Sequence, residues 1–298
     1  MIQLLPVTET IFRMVARSVF MIAATFPVAA TATENEPTDR EPVAHPVAKQ
    51  VATDGDPIRV HDVRSRFVRG PCQIRVLVPD NISSGDRLPV VFVLPVEAGR
   101  ESRYGDGMTE ILRADLHNHH RAVFVSPTFP RLPWYADHPT DPKLRQESHL
   151  LKFVVPWVGQ HYPVSDARYL LGFSKSGWGA WTLLLRHSDT FRRAAAWDAP
   201  MMMDRVGRYG SGPIFGNQEQ FDAYRVTTLL RSNAEEFTAR PRLILTGFDN
   251  FREHHQRVHS LLDELGIPHQ YRDGPQRDHR WDSGWIVEAA ELLMNDNR

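Results

Sequence analysis

The sequence predicts an open α/β sheet with helices on both faces. Three observations carry that expectation: nearly continuous apolar runs of strand length, longer amphipathic stretches alternating with them, and one segment that turns from a strand into a helix through small residues. Continuous apolar runs suit strands covered on both faces, as parallel strands are.

Taken in order, the first pattern is an alternation. Val63, Phe67, Ile74, Val76 and Val78 interleave with Arg64, Arg66, Gln73 and Arg75, so two half-buried strands joined at Gly70-Pro71 should form an antiparallel hairpin at a sheet edge. Buried strands are expected over Leu88 to Val96, Ala122 to Pro127, Arg168 to Phe173, Arg193 to Trp197 and Arg242 to Gly247, with a last one near His269 to Arg272. Helices should occupy Gly107 to Asn118, Gln146 to His161, Phe251 to Leu265 and Ser283 to Leu293. Two connections, Thr128 to Lys143 and Met201 to Pro241, exceed what joining these elements requires. Loops at the carboxyl ends of strands line the ligand crevice in such sheets, so both are candidate walls or lids.

Composition bounds the rest. The 298 residues are 42% apolar and 24% charged, enough for one sizeable core, and the net charge of −1 gives no global field for nucleic acid or an anionic membrane. Cys72 is the single cysteine, which excludes an internal disulfide and a cysteine-based zinc site; a buried strand position is expected for it. Arg13 and Arg17, the apolar run Val19 to Ala30 and the sequence Ala30-Thr31-Ala32 form the order of an export signal, predicted here as residues 1–32. Its apolar part is short for a membrane span, so none is expected in the mature chain, and a periplasmic or secreted location follows. Residues 33–57, with Pro37, Pro42, Pro46 and Pro57, are expected to be a flexible tether, and residues 58–298 one catalytic domain.

The strand-to-helix segment is Leu170-Leu171-Gly172-Phe173-Ser174-Lys175-Ser176-Gly177-Trp178-Gly179-Ala180. It fits G-x-S-x-G with Ser176 at the second glycine position, and a serine at such an apex stands clear of the sheet at a helix N-terminus. Centring the motif on Ser176 would put Trp178 in the crowded turn, so Ser174 is the candidate nucleophile. A serine hydroxyl needs a base, and the base needs an orienting acid. Asp249 follows a predicted strand in Phe248-Asp249-Asn250, and His279 lies in Arg277-Asp278-His279-Arg280-Trp281 just before the last helix. Asp198, in Trp197-Asp198-Ala199-Pro200, is the rival acid.

With this order the chain resembles the putative-esterase family of α/β-hydrolases, which includes esterase D-type, feruloyl and acetylxylan esterases and mycolyltransferases. The anchors are the elbow, the helix ending Val155-Pro156 with Tyr162-Pro163-Val164, and His279-Arg280-Trp281 followed by Trp285. The resemblance implies Ser174 as nucleophile, His279 as base and then acid, and Asp249, favoured over Asp198 by family spacing, as the orienting carboxylate. It implies an oxyanion hole from the backbone N–H groups of Lys175 and Glu97. Here the sequence departs from the family, because Leu94-Pro95-Val96-Glu97-Ala98-Gly99 replaces a His-Gly-type turn, and a Glu97 carboxylate would repel an oxyanion unless turned toward Arg100 or Arg103.

An exported serine esterase acting on a small-molecule or carbohydrate ester, without metal or cofactor, is the function expected. Acyl transfer on the same site, an inactive glycan-binding scaffold and a peptidase are the alternatives. Trp134, Tyr135 and Trp178 are candidates for an aromatic substrate platform, with core packing as the competing reading. The histidines in Asp115-x-His117-x-His119-His120 fall where a helix should end and are read as solvated or capping residues, not metal ligands.

Overall fold

The computed structural model describes residues 49–51 and 56–295. Its strands are β1 (Lys49–Val51), β2 (Arg59–Val63), β3 (Cys72–Leu77), β4 (Leu88–Val93), β5 (Val123–Pro127), β6 (Val164–Phe173), β7 (Arg193–Trp197), β8 (Leu243–Phe248) and β9 (His269–Gln276). Among the described residues these make one nine-stranded sheet in the order β1-β2-β3-β5-β4-β6-β7-β8-β9. The pairs β1/β2, β2/β3 and β3/β5 are antiparallel, and every pairing from β5 onward is parallel.

The expected edge hairpin is therefore present as β2 and β3, and Cys72 is buried at the start of β3. Phe67, assigned to that hairpin from its alternation, falls in the connection after β2. A second difference concerns the tether: Lys49–Val51 pairs with β2 and extends the sheet, because an edge strand offers free backbone donors and acceptors to any segment nearby. The predicted export signal and the remainder of the tether before residue 56 lie outside the described residues.

The helices are α1 (Gly107–Arg113), α2 (Leu116–His119), α3 (Gln146–His149), α4 (Val155–His161), α5 (Ser174–Arg186), α6 (Gly212–Phe215), α7 (Gln218–Asp222), α8 (Val226–Ser232), α9 (Arg252–Glu264) and α10 (Trp285–Met294). A π-helical turn, Leu150–Val154, joins α3 to α4, so the single helix expected over Gln146 to His161 is continuous but widened just ahead of Pro156, which has no N–H to donate. No helix among the described residues is long and apolar enough to cross a membrane.

Both faces of the sheet are covered, which explains the continuous apolar strands. Val90, Phe92, Leu170, Ala194, Ala196, Leu243 and Leu245 point to one core with Trp181, Leu184, Val258 and Leu262 of α5 and α9. Val91, Val93, Leu171, Ala195, Trp197 and Ile244 point to the other, with Met108 and Ile111 of α1 and Trp285, Ile286 and Leu293 of α10. Gly247 lets α10 close down, since a Cβ there would lie 2.0 Å from Trp285 Cε2. The chain passes from β4 to β5 on one side and then to β6 on the other. The carboxyl ends of β4 and β6 thus flank the switch point where α/β sheets bind ligands.

Two buried histidines make this fold acid-sensitive. Burial lowers His149, which stacks on Phe153 with both ring nitrogens unpartnered, and His255 to about 4, against an ordinary 6.5. Glu147 is also held low, to about 2: burial opposes its charge, but hydrogen bonds from His187, Arg186 and Tyr224 outweigh that cost. All three bind protons more readily unfolded than folded, so stability falls with pH. Denaturant unfolding should lose roughly 3 kcal/mol per histidine between about pH 6.5 and 4. Glu147 should extend the loss from about 4.5 toward 2. A His149→Phe variant should show a flatter limb between pH 6.5 and 4, and an unchanged limb would disprove the assignment.

Candidate active site

The elbow is built by close approach. β6 ends at Phe173 and α5 begins at Ser174, whose φ of +53° lies in the left-handed region that non-glycine residues seldom occupy. A Cβ on Gly172 would sit 2.4 Å from the Ser176 carbonyl oxygen, and one on Gly177 would lie 3.0 Å from the Cβ atoms of Ala196 and Ala199. Ser176 is fully buried, and its Oγ accepts from Phe173 N–H at 3.1 Å while donating to Phe173 C=O at 2.9 Å. It closes the turn and is shut off from solvent. Ser174 keeps 8% of its surface and opens into a cleft of about 530 Å³.

His279 lines the same cleft, in the loop between β9 and α10. The imidazole is held among aromatic rings: Phe173 at 4.9 Å between centroids, Tyr104 edge-on at 5.4 Å and Phe251 at 6.0 Å. Trp281, two residues on, packs against Phe173 and Trp197 and donates its backbone N–H to Tyr104 C=O, which ties the loop down.

The carboxylate beside His279 is Asp198 and not Asp249. His279 Nδ1 lies 2.5 Å from Asp198 Oδ2, while Asp198 Oδ1 accepts the N–H groups of Asn250 and Phe251 at 2.9 and 2.8 Å. Burial opposes its charge, yet the bonds from His279 and from the backbone hold it below the ordinary aspartate value. Asp249 does follow β8, as expected, but it turns outward to Gln276 and Asn250. The sheet order gives the reason. β7 pairs directly with β6, so its carboxyl end adjoins the elbow, whereas β8 lies one strand further away. Asp198 has a φ of +39°, and its loop is pinned by Ala199 N–H donating 2.9 Å to the buried His255 Nε2.

Glu97 follows β4 as expected and is 2% exposed. Its carboxylate turns to Arg103, with Nε 3.0 Å from Oε1, so the Arg103 alternative is the one realised. Lys175 N–H belongs to the first turn of α5, where backbone donors have no partner within the helix.

The proposed aromatic platform is core. Trp134, Tyr135 and Trp178 are fully buried; the two tryptophans meet edge-on at 5.4 Å among Phe215 and Phe221, and none of the three lines the cleft. Tyr135 instead supports the site from beneath. Its ring fills the space that a Cβ on Gly179 would take, and its hydroxyl donates to Pro95 C=O in the turn that carries Glu97. The lining contains residues that the sequence did not single out as substrate contacts: Arg103, Tyr104, Leu132, Pro200, Tyr209 and Phe251. Leu132 and Tyr209 come from the two overlong connections, whose predicted role as walls is met. Tyr209, 46% exposed, faces Phe251 at 5.5 Å.

His117 is buried near Asp115 rather than solvated. The described residues place one metal-compatible group together elsewhere, His259, Asp263 and His269, with His259 Nδ1 2.6 Å from His269 Nε2.

A serine on a strained strand-to-helix turn at the switch point of this sheet, sharing its cleft with a histidine backed by a buried carboxylate, defines an α/β-hydrolase. The family model described as Putative esterase matches residues 65–286, and the chain belongs to that family of carboxylic ester hydrolases. Solved structures agree on the fold. An S-formylglutathione hydrolase from Agrobacterium tumefaciens superposes with a TM-score of 0.67 at 16% identity, over 83% of this chain and 98% of the other. A ferulic acid esterase gives 0.61 at 16% identity, over 80% and 96%. A fluorophosphonate-binding serine hydrolase of Staphylococcus aureus gives 0.61 at 17% identity, over 80% and 98%. No curated protein matches the chain significantly.

The elbow's tolerance can be measured. Gly172→Ala should cost at least about 3 kcal/mol in denaturant unfolding, because the clash is with backbone that cannot step aside. Gly159→Ala in α4, where a Cβ meets nothing within 4 Å, should be neutral or stabilising by about 0.5–1 kcal/mol.

Proposed function

We propose that this chain is an exported serine esterase working through Ser174, His279 and Asp198. The observation that carries the reading is the Asp198–His279 pair at 2.5 Å, whose histidine lines the cleft that exposes Ser174. Asp198 holds the Nδ1 proton and so leaves Nε2 as the base that takes the proton of the Ser174 hydroxyl. Ser174 Oγ attacks the ester carbonyl. The imidazolium then protonates the departing alcohol, and a water activated by the same nitrogen releases the acid from the acyl-enzyme. The backbone N–H groups of Lys175 and Glu97 serve as oxyanion donors. The Glu97 carboxylate turned to Arg103 supports this reading over an inactive scaffold, because its charge is aimed at a cation. Export rests on the sequence order Arg13, Arg17, Val19 to Ala30 and Ala30-Thr31-Ala32. With the expected sugar platform buried, the reading rests on the ester bond and not on a carbohydrate.

Labelling with a fluorophosphonate probe, mapped by peptide mass spectrometry, should place the adduct on Ser174 and vanish in Ser174→Ala. Asp198→Asn should lower kcat toward ester substrates by roughly 10⁴-fold, through loss of the correct imidazole tautomer. Asp249→Asn should stay within a few-fold of the parent. Equal losses in the two variants, or a folded protein that no probe labels, would sink the assignment.

A further inference from the structure

The cleft carries more cation than its chemistry uses. Lys175, next to the nucleophile, is 9% exposed and lines the cleft with Ser174 and His279. Its ammonium has no hydrogen-bond or ion-pair partner among the described residues. Burying an ammonium without a partner is unfavourable, so charged side chains in interiors are almost always paired. Its charged neighbours are Arg103 and Glu97, and burial together with Arg103 lowers its pKa. Glu97 is already committed: Arg103 Nε bonds its Oε1 at 3.0 Å, and the Tyr104 N–H approaches Oε2 at 3.5 Å. The remaining N–H groups of Arg103 have no partner among the described residues, and its guanidinium lies over the Tyr104 ring at 4.7 Å, at the cleft wall. Asp198, the other carboxylate behind the cleft, is taken up by His279 and two backbone N–H groups, so Lys175, Arg103 and Glu97 together leave one cation without a counter-charge.

On the reading of this chain as an esterase, we infer that Lys175 and Arg103 form a subsite for an anionic group, a carboxylate on the ester substrate itself. The substrate supplies the counter-charge that the protein withholds. A carboxylate placed there ion-pairs with the ammonium, which the cleft shields from water, and with the free edge of the guanidinium, which stands in solvent at the rim. The anionic group could sit on the acyl or the alcohol side of the scissile bond, and the two sides are separable by experiment.

The test compares each anionic ester with its neutral isostere: 4-carboxyphenyl acetate with 4-carbamoylphenyl acetate for the alcohol side, and the phenyl half-ester of glutaric acid with its terminal amide for the acyl side. For one pair, kcat/KM should favour the anion at least about tenfold at low ionic strength, and added salt should shrink the ratio. Lys175→Met, which keeps the stem and removes the charge, should bring that ratio close to one, and Arg103→Gln should reduce it partway. Binding of benzoate and benzamide, followed by NMR, gives a readout independent of turnover: benzoate should bind more tightly than benzamide, and Lys175→Met should abolish the difference. Ester turnover with no preference for either anion, or a preference untouched by Lys175→Met, would overturn the subsite while leaving the esterase standing. Benzoate binding that depends on Lys175, without turnover of any ester, would do the reverse.

Discussion

Everything at the cleft depends on how closely the chain can be packed where β6 becomes α5. A serine can be presented at a φ of +53° only if the surrounding backbone leaves it no easier course, and that is the work of small residues. Gly172 admits the Ser176 carbonyl, and Gly177 lies against Ala196 and Ala199. Ser176 then bonds both backbone groups of Phe173. The same alanines bracket Asp198, Ala196 inside β7 and Ala199 one residue past the aspartate. One packing solution therefore exposes the nucleophile and sets the acid at the neighbouring strand end.

Strain recurs around this point. Six non-glycine residues among those described have positive φ, and four of them, Tyr135, Ser174, Asp198 and Tyr209, stand at the cleft or directly behind it. Three of the four are held by something specific: Ser174 by the elbow, Asp198 by backbone N–H groups and His279, Tyr135 by Gly179 and Pro95. Aromatic packing does the corresponding work for the base. Phe173, Trp197 and Trp281 form a contiguous cluster on which the His279 loop rests, so the histidine contributed from the far edge of the sheet arrives with little freedom.

Local chemistry was legible in the sequence and lateral neighbourhood was not. Apolar runs and periodicity located the strands and helices because burial on two faces leaves a direct imprint on residue type. The Gly172-to-Ala180 motif showed Ser174 for the same reason, since steric demand in a turn is written in adjacent residues. Asp198 and Asp249 were both correctly set at strand ends, but choosing between them requires knowing which strand lies beside β6, a property of sheet order that no short segment carries. Trp134 and Tyr135 show the converse limit: an aromatic cluster in a long loop reads alike whether it faces substrate or core. Arg103 reaches the cleft from the connection between β4 and α1, which has neither periodicity nor excess length to mark it, and the length that marks the connection of Tyr209 does not say which of its residues turns inward.

Tyr135 ties together two parts of the chain, the helix that begins at Ser174 and the turn that follows β4. Its ring lies against Gly179 of the helix that starts at Ser174, and its hydroxyl holds the Pro95 carbonyl in the turn after β4. Helix and turn cannot drift apart without breaking that bond, nor approach without displacing the ring. The molecule carries its own spacer, and the separation of helix and turn is a property of the core.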